Sequence, residues 1–170
     1  MEEKLPVLRF VVATVALGRA SVKDDMARIV INELQEARFE IMRSVTVNRE
    51  KQFIEQLVMN IATSNQADAV VLIGGVGLGP RDFTCEAVDS IADRRIEGFG
   101  EAFRRLAPAD DAKSLLLRAT AAVCNKCVVI ALPRQPDSLR RAIRELVVPT
   151  IGAAVHMASG GRPGASAPRS

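Results

Sequence analysis

The stretch VVLIGGVGLGPRDFTCEA, residues 70–87, decides how this chain is read. An apolar run ends in Gly74, Gly75 and Gly77, Gly79 follows, and a Pro80-Arg81-Asp82 turn leads toward a helix start. A short unbroken run of Val, Leu and Ile suits a strand buried on both faces. Glycines directly after such a strand make either an ordinary turn or a phosphate cradle, because without a Cβ the backbone N–H groups can approach an anion closely.

The flanking sequence alternates between strand and helix patterns. Residues 5–15 (LPVLRFVVATV) read as a buried strand. Ser21 is placed to cap a helix with Val22, Met26, Ile29, Val30, Leu34 and Ala37 at helical spacing, ending near Arg38. Phe39, Ile41, Val45 and Val47 share one side of a second strand. A helix from Asn48 follows, with Phe53, Ile54, Leu57, Val58 and Ile61 on one face, and then a strand over 68–73.

Beyond the glycines, Thr84 is placed to cap a helix to about Arg95, and a shorter helix covers 99–106. Pro108, Asp110 and Asp111 suit the start of a helix running through Val123. CVVIAL, 127–132, reads as a strand, 133–138 as a loop, and 139–148 as a last helix ended by Pro149. Ile143, Leu146, Val147 and Ile151 give that helix an apolar side compatible with a subunit contact. Residues 159–170 carry no core-forming side chain, so the expectation is one domain over 1–158 and a flexible C-terminal tail over 159–170.

Strands alternating with helices predict an α/β fold: a three-layer domain with a mainly parallel central sheet flanked by helices. In such sheets ligands sit beyond the carboxyl ends of the strands. The loops 74–83 and 133–138 both follow strands, so both are expected at that edge.

The bulk numbers bound the function. With 170 residues, 48% hydrophobic and 25% charged, the chain can bury one ordinary core. Aromatic content of 4% and a net charge of +3 argue against nucleic-acid binding. The apolar stretch 10–18 is far short of the ~20 residues of a membrane helix. Acidic residues at the start do not suit a secretion signal, so a cytoplasmic protein with free Cys85, Cys124 and Cys127 is expected.

The common nucleotide motifs fail. Gly75-Val76-Gly77 begins a dinucleotide fingerprint, but Pro80 stands where its third glycine belongs. A P-loop needs a lysine, and none lies between Lys51 and Lys113. Asp82 has two readings, a helix cap or a carboxylate holding Mg²⁺ beside a polyphosphate. Cys124-x-x-Cys127 lacks partners for zinc, since only Cys85 and His156 remain. Arg94-Arg95 and Arg104-Arg105 read either as solvated helix faces or as the lining of an anionic pocket.

Three segments together carry a family likeness. Gly74-Gly75-Val76-Gly77-Leu78-Gly79-Pro80-Arg81-Asp82-Phe83-Thr84-Cys85-Glu86-Ala87 resembles the G-G-T-G-x-x-x-R-D-x-T-P-E-A signature of the MoaB/MogA molybdopterin-binding family of molybdenum cofactor biosynthesis. Glu97-Gly98-Phe99-Gly100-Glu101 resembles its P/E-G-F-G-E segment, and Leu132 to Ser138 resembles its L-P-G-x-P-x-S loop. The likeness covers roughly residues 6–157.

The resemblance implies a trimer or hexamer. It also implies binding of molybdopterin and, in active members, transfer of AMP from Mg-ATP to its terminal phosphate. Gly74, Gly75, Val76 and Gly77 would then hold a phosphate, and Asp82 would position Mg²⁺ as the catalytic residue. Thr84, Glu101, Arg118, Pro133, Arg134 and Ser138 would complete the site.

Departures from the pattern cluster in that site. Active relatives read T-V-S-D where this chain has Thr14-Val15-Ala16-Leu17, and D-x-S-G where it has Asp24-Asp25-Met26-Ala27. Asn48-Arg49 replaces Pro-Asp, Val76 replaces Thr, Leu117 replaces the Ser before Arg118, and Arg134 replaces Gly. Losing one charge-stabilising contact slows catalysis by about two to three powers of ten. Two functions therefore stand side by side, a molybdopterin adenylyltransferase and a catalytically silent molybdopterin- or partner-binding homologue. Arg134 either fills the nucleotide space or pairs with a phosphate.

Overall fold

The structure, a computed structural model, describes residues 7–17, 24–108 and 110–161. Six strands form one sheet in the order β2-β1-β3-β6-β5-β4. These are β1 (Arg9–Ala16), β2 (Glu40–Asn48), β3 (Ala69–Ile73), β4 (Arg94–Arg95), β5 (Thr120–Cys124) and β6 (Cys127–Leu132). β2, β1, β3 and β6 run parallel, while β5 and β4 extend the sheet antiparallel. The mainly parallel α/β fold expected from the sequence is the one observed.

Side-chain alternation along the central strands builds two apolar layers. Phe10, Val12, Val71, Ile73, Ile130 and Leu132 face one way, toward Val30 and Leu34 of α1 (Asp25–Glu36) and toward the C-terminal helices. Val11, Ala13, Val70, Leu72, Val129 and Ala131 face the other, against α2 (Lys51–Thr63) and α3 (Thr84–Ile91). Each fully buried aliphatic side chain contributes about 1.5–3 kcal/mol. Covered on both faces, β3 has every residue buried, which is why it reads as an unbroken apolar run. β2, at the edge, is exposed at Arg43 and Ser44.

Several expected boundaries move. Ser21, the expected cap, lies in 18–23, outside the described residues; Asp24 caps α1, its side chain accepting from the amides of Met26 and Ala27. Phe53 is 42% exposed, whereas Ile54, Val58 and Ile61 are buried. One position along a helix turns the side chain by ~100°, which moves Phe53 off the buried stripe. The helix to Arg95 ends at Ile91, and Arg94–Arg95 pair with Val123 and Ala122 as β4.

No helix spans Pro108 to Val123. A 3-10 turn covers Ala112–Leu116, and Thr120–Cys124 is β5. Asn125 and Lys126 have φ of 44° and 70°, the left-handed pair that closes a two-residue hairpin onto β6. Pairing with β6 overrides the helical preference of Ala121 and Ala122.

The last helix does not stop at Pro149. α5 (Pro136–Arg141), a π-helical segment Ala142–Val147 and α6 (Val148–Ala158) run end to end. A proline has no N–H to give the preceding turn, and a widened turn placed just before it accommodates that loss. α4 (Gly98–Arg105) follows β4 close to its expected bounds. Ile143, Val147 and Ile151 are buried in the chain's own core, so they are not the subunit contact their spacing suggested. The tail expected from residue 159 falls mostly on 162–170, outside the described residues. No helix among the described residues is long and apolar enough to cross a membrane.

Candidate functional site

β1, β3 and β6 are parallel neighbours, so their carboxyl ends bring Ala16, Gly74 and Pro133 to one edge of the sheet. The Gly74 amide donates to the Leu132 carbonyl at 2.8 Å, which fastens the glycine loop to the end of β6. Gly74 and Gly75 have φ of 106° and 71°, a conformation side chains rarely adopt. Beyond them, the amides of Gly75, Val76, Gly77 and Leu78 donate to no backbone or side-chain acceptor among the described residues. Four successive open N–H groups are what an anion needs from a backbone.

Three side chains hold this loop in shape. Thr84 is fully buried and its Oγ1 donates to the Gly74 carbonyl at 2.7 Å. It therefore does not cap α3, whose N-cap position is Phe83. Arg118 donates through Nε to the Gly77 carbonyl at 2.9 Å and through Nη2 to the Asp82 carbonyl at 3.0 Å, and it forms an ion pair with Glu86. Its amide also donates to the Val76 carbonyl at 2.9 Å. Burial pulls the Glu86 carboxyl upward, but the hydrogen bond and charge of Arg118 outweigh that and hold it below the usual range.

Asp82 takes the third position. Its Oδ2 accepts from the Gly79 amide at 2.9 Å, closing the Gly79–Asp82 turn and leaving α3 uncapped by it. The other oxygen makes no bond among the described residues. No three His, Cys, Asp or Glu side chains converge as a metal site among those residues. A Mg²⁺ ion here would have Asp82 as its one carboxylate and take its remaining oxygens from phosphate and water, which suits this ion.

Arg134 lies across the start of the loop. The space a Cβ on Gly74 would need is 3.3 Å from Arg134 Cδ and 3.4 Å from Cγ, and the guanidinium pairs with Asp24 at 3.4 Å. Asp24 thereby joins the site, although in the sequence it stood out only as part of a degraded motif. Burial raises its carboxyl pKa, while Thr14, Arg134 and the amides of Ala27 and Met26 together lower it by more, so the net shift is downward. Glu86, equally unforeseen, could have been found as a carboxylate one turn into α3 facing an arginine.

The remaining expected residues lie further out. Pro133 is buried, and Ser138 Oγ donates to Gln135 Oε1 at 3.0 Å. Glu101 pairs with Arg105 on the surface of α4. A groove of about 550 Å³ is lined by Phe103, Leu106, Leu117, Gln135 and Ser138 among others. Its lining includes Leu117 and Gln135, the chain neighbours of Arg118 and Arg134, but no residue of the 74–83 loop. The Gly74–Leu132 hydrogen bond and the Arg134 stem beside Gly74 set the loop next to the start of the Pro133–Ser138 segment, while Glu101 joins neither contact network.

Comparison with known proteins gives the same direction. Residues 11–153 match the family described as "Probable molybdopterin binding domain". The "Molybdenum cofactor biosynthesis protein B" of Bacillus subtilis (strain 168) is 32% identical over 152 residues, 88% of this chain and 89% of that protein. A crystal structure of a molybdenum cofactor biosynthesis protein B superposes with a TM-score of 0.85 at 27% identity, covering 91% of this chain and 98% of the other. The molybdopterin biosynthesis enzyme MoaB of Thermus thermophilus superposes with a TM-score of 0.81 at 26% identity, covering 92% of this chain and 99% of that one. With its glycine loop, its sheet and its sequence all in agreement, the chain belongs to the molybdopterin-binding MoaB/MogA family.

Proposed function

We propose that the chain binds molybdopterin in molybdenum cofactor biosynthesis, with the ligand's terminal phosphate on the amides of Gly75 to Leu78. The four unpartnered N–H groups carry this reading. The ligand's ring system would extend past Leu117 and Gln135 into the groove, where Phe103, Leu106 and Leu117 offer apolar surface and Gln135 and Ser138 offer polar contacts. The relatives' names supply the pathway, and a soluble homotrimer or hexamer in the cytoplasm belongs to the same reading.

A second reading, adenylyl transfer from Mg-ATP to the bound phosphate, is favoured by the open oxygen of Asp82 at the rim of the loop. Mg²⁺ held there would neutralise charge on the nucleotide phosphates as pyrophosphate leaves. The chain's own part would be to hold the acceptor phosphate on the glycine amides and orient it for attack. Against this reading stand Ala16 and Leu17, which bring neither hydroxyl nor carboxylate to the end of β1, and Arg134 across Gly74.

Calorimetry with molybdopterin, followed by a pyrophosphate-release assay with Mg-ATP, tests both. Binding without release supports the silent protein, and release abolished by Asp82→Ala supports the transferase. Absence of any molybdopterin binding defeats both readings. Sedimentation of dilute protein as a monomer removes the trimer.

A further inference from the structure

At the sheet end remote from the glycine loop, two cysteines paired across β5 and β6 and the thioether of Met59 stand in a place the proposed function does not use. We propose that Cys124, Cys127 and Met59 form a binding site for a soft monovalent metal ion, Cu(I) or Ag(I). Cys124 and Cys127 flank the Asn125–Lys126 turn and pair directly across β5 and β6. Directly opposed residues send their side chains to the same face with Cβ atoms about 4.5–5.5 Å apart, a span that a two-coordinate thiolate ion can bridge. Both side chains pack in the layer beneath α2, each only 2% exposed. Met59 of α2 places Sδ 3.5 Å from Cys124 Sγ.

The donor set selects the ion. Thiolate and thioether ligands favour Cu(I), whereas zinc requires about four ligands and is borderline in softness. Among the described residues no third His, Cys, Asp or Glu joins the pair. A cavity of about 290 Å³ reaches Cys127 and is lined as well by Asn65, Asp68, Asn125 and Lys126.

The chemistry balances without a redox partner. Cys124 and Cys127 are free thiols. One ion forms two metal–sulfur bonds as the two S–H protons pass to solvent, leaving an anionic bis-thiolate with no change of oxidation state.

The test uses the full reduced chain, kept anaerobic, with Cu(I) presented on a competing chelator and the bound ion counted by native mass spectrometry. One ion per chain and two protons released per ion are expected. Cys124→Ser and Cys127→Ser should each lose the ion, Cys85→Ser should keep it, and Met59→Leu, which preserves volume, should weaken binding. Failure to take Cu(I) from the chelator, retention of the ion in the Cys124/Cys127 double variant, or loss in Cys85→Ser overturns the proposal. Should the cysteine variants not fold, alkylation of the wild type decides: Cu(I) must protect Cys124 and Cys127 and not Cys85, and equal labelling with and without the ion overturns the site.

Discussion

The guanidinium of Arg118 donates to the carbonyl of Gly77 at 2.9 Å while its ion pair with Glu86 anchors it to α3. An arginine that the family pattern places among ligand contacts thus spends its donors on the loop's own carbonyls. Arg118→Ala is expected to cost about 1–2 kcal/mol, the lower part of the range for charged hydrogen bonds because the side chain is partly solvated. Arg118→Lys should not restore it, since an ammonium cannot fork between two carbonyls. The urea midpoint at constant slope measures both, and an unchanged midpoint in Arg118→Ala would show that the loop stands without this support.

The glycine loop and Thr84 fit against each other with no slack. A Cβ at Gly75 would lie 2.2 Å from Thr84 Oγ1, and φ there is 71°. Gly75→Ala should therefore lose about 3 kcal/mol, combining left-handed strain with overpacking. Thr84→Val, which strands the Gly74 carbonyl, should lose about 1–3 kcal/mol. Gly98→Ala is the control, since a Cβ there meets nothing within 4 Å. It should be neutral or slightly stabilising, and thermal unfolding of the three variants should rank them in that order.

Asp24 links stability to acid. Its folded-state pKa is lowered, so its contribution is fully present above the unfolded-state value of about 4, and it is lost as pH falls through the folded-state value. Asp24→Asn keeps an effective cap but gives up the charge. That variant should show a flatter loss of stability below about pH 4 than the wild type, whereas Asp24→Ala should lose about 1 kcal/mol at neutral pH as well. Denaturant titrations at several pH values check this, and identical acid slopes in wild type and Asp24→Asn would remove the linkage.

The sequence was most legible where one physical requirement acts alone. Residues buried on both faces must be apolar, so β3 and β6 could be read directly, and the glycines after β3 marked the loop because a backbone with φ of 106° and 71° tolerates little else. It was least legible where long-range pairing decides. Ala121 and Ala122 suit a helix as well as a strand, and β6 beside them makes the second choice. Pro149 looked like a stop because a π-helical turn leaves no mark in periodicity. Asp24 and Glu86 were hidden for a similar reason: each acts through an arginine 110 or 32 positions away.

Arg134 is where the two functional readings separate most sharply. Its stem lies over Gly74 and its guanidinium is held by Asp24, so a nucleotide phosphate approaching the loop from that side must first displace it. The pair is exposed enough to be worth only ~0–1 kcal/mol, so the obstruction is chiefly the volume of the side chain. Arg134→Gly should therefore create measurable Mg-ATP binding where the wild type shows little, and raising salt on the wild type should not have the same effect. If instead the variant binds molybdopterin or ATP more weakly than the wild type by isothermal calorimetry, Arg134 is a phosphate partner that swings away from Asp24 when the ligand arrives. Equal affinities in both proteins would place Arg134 outside the ligand's path altogether and leave Ala16 and Leu17 as the departures that bear on adenylyl transfer.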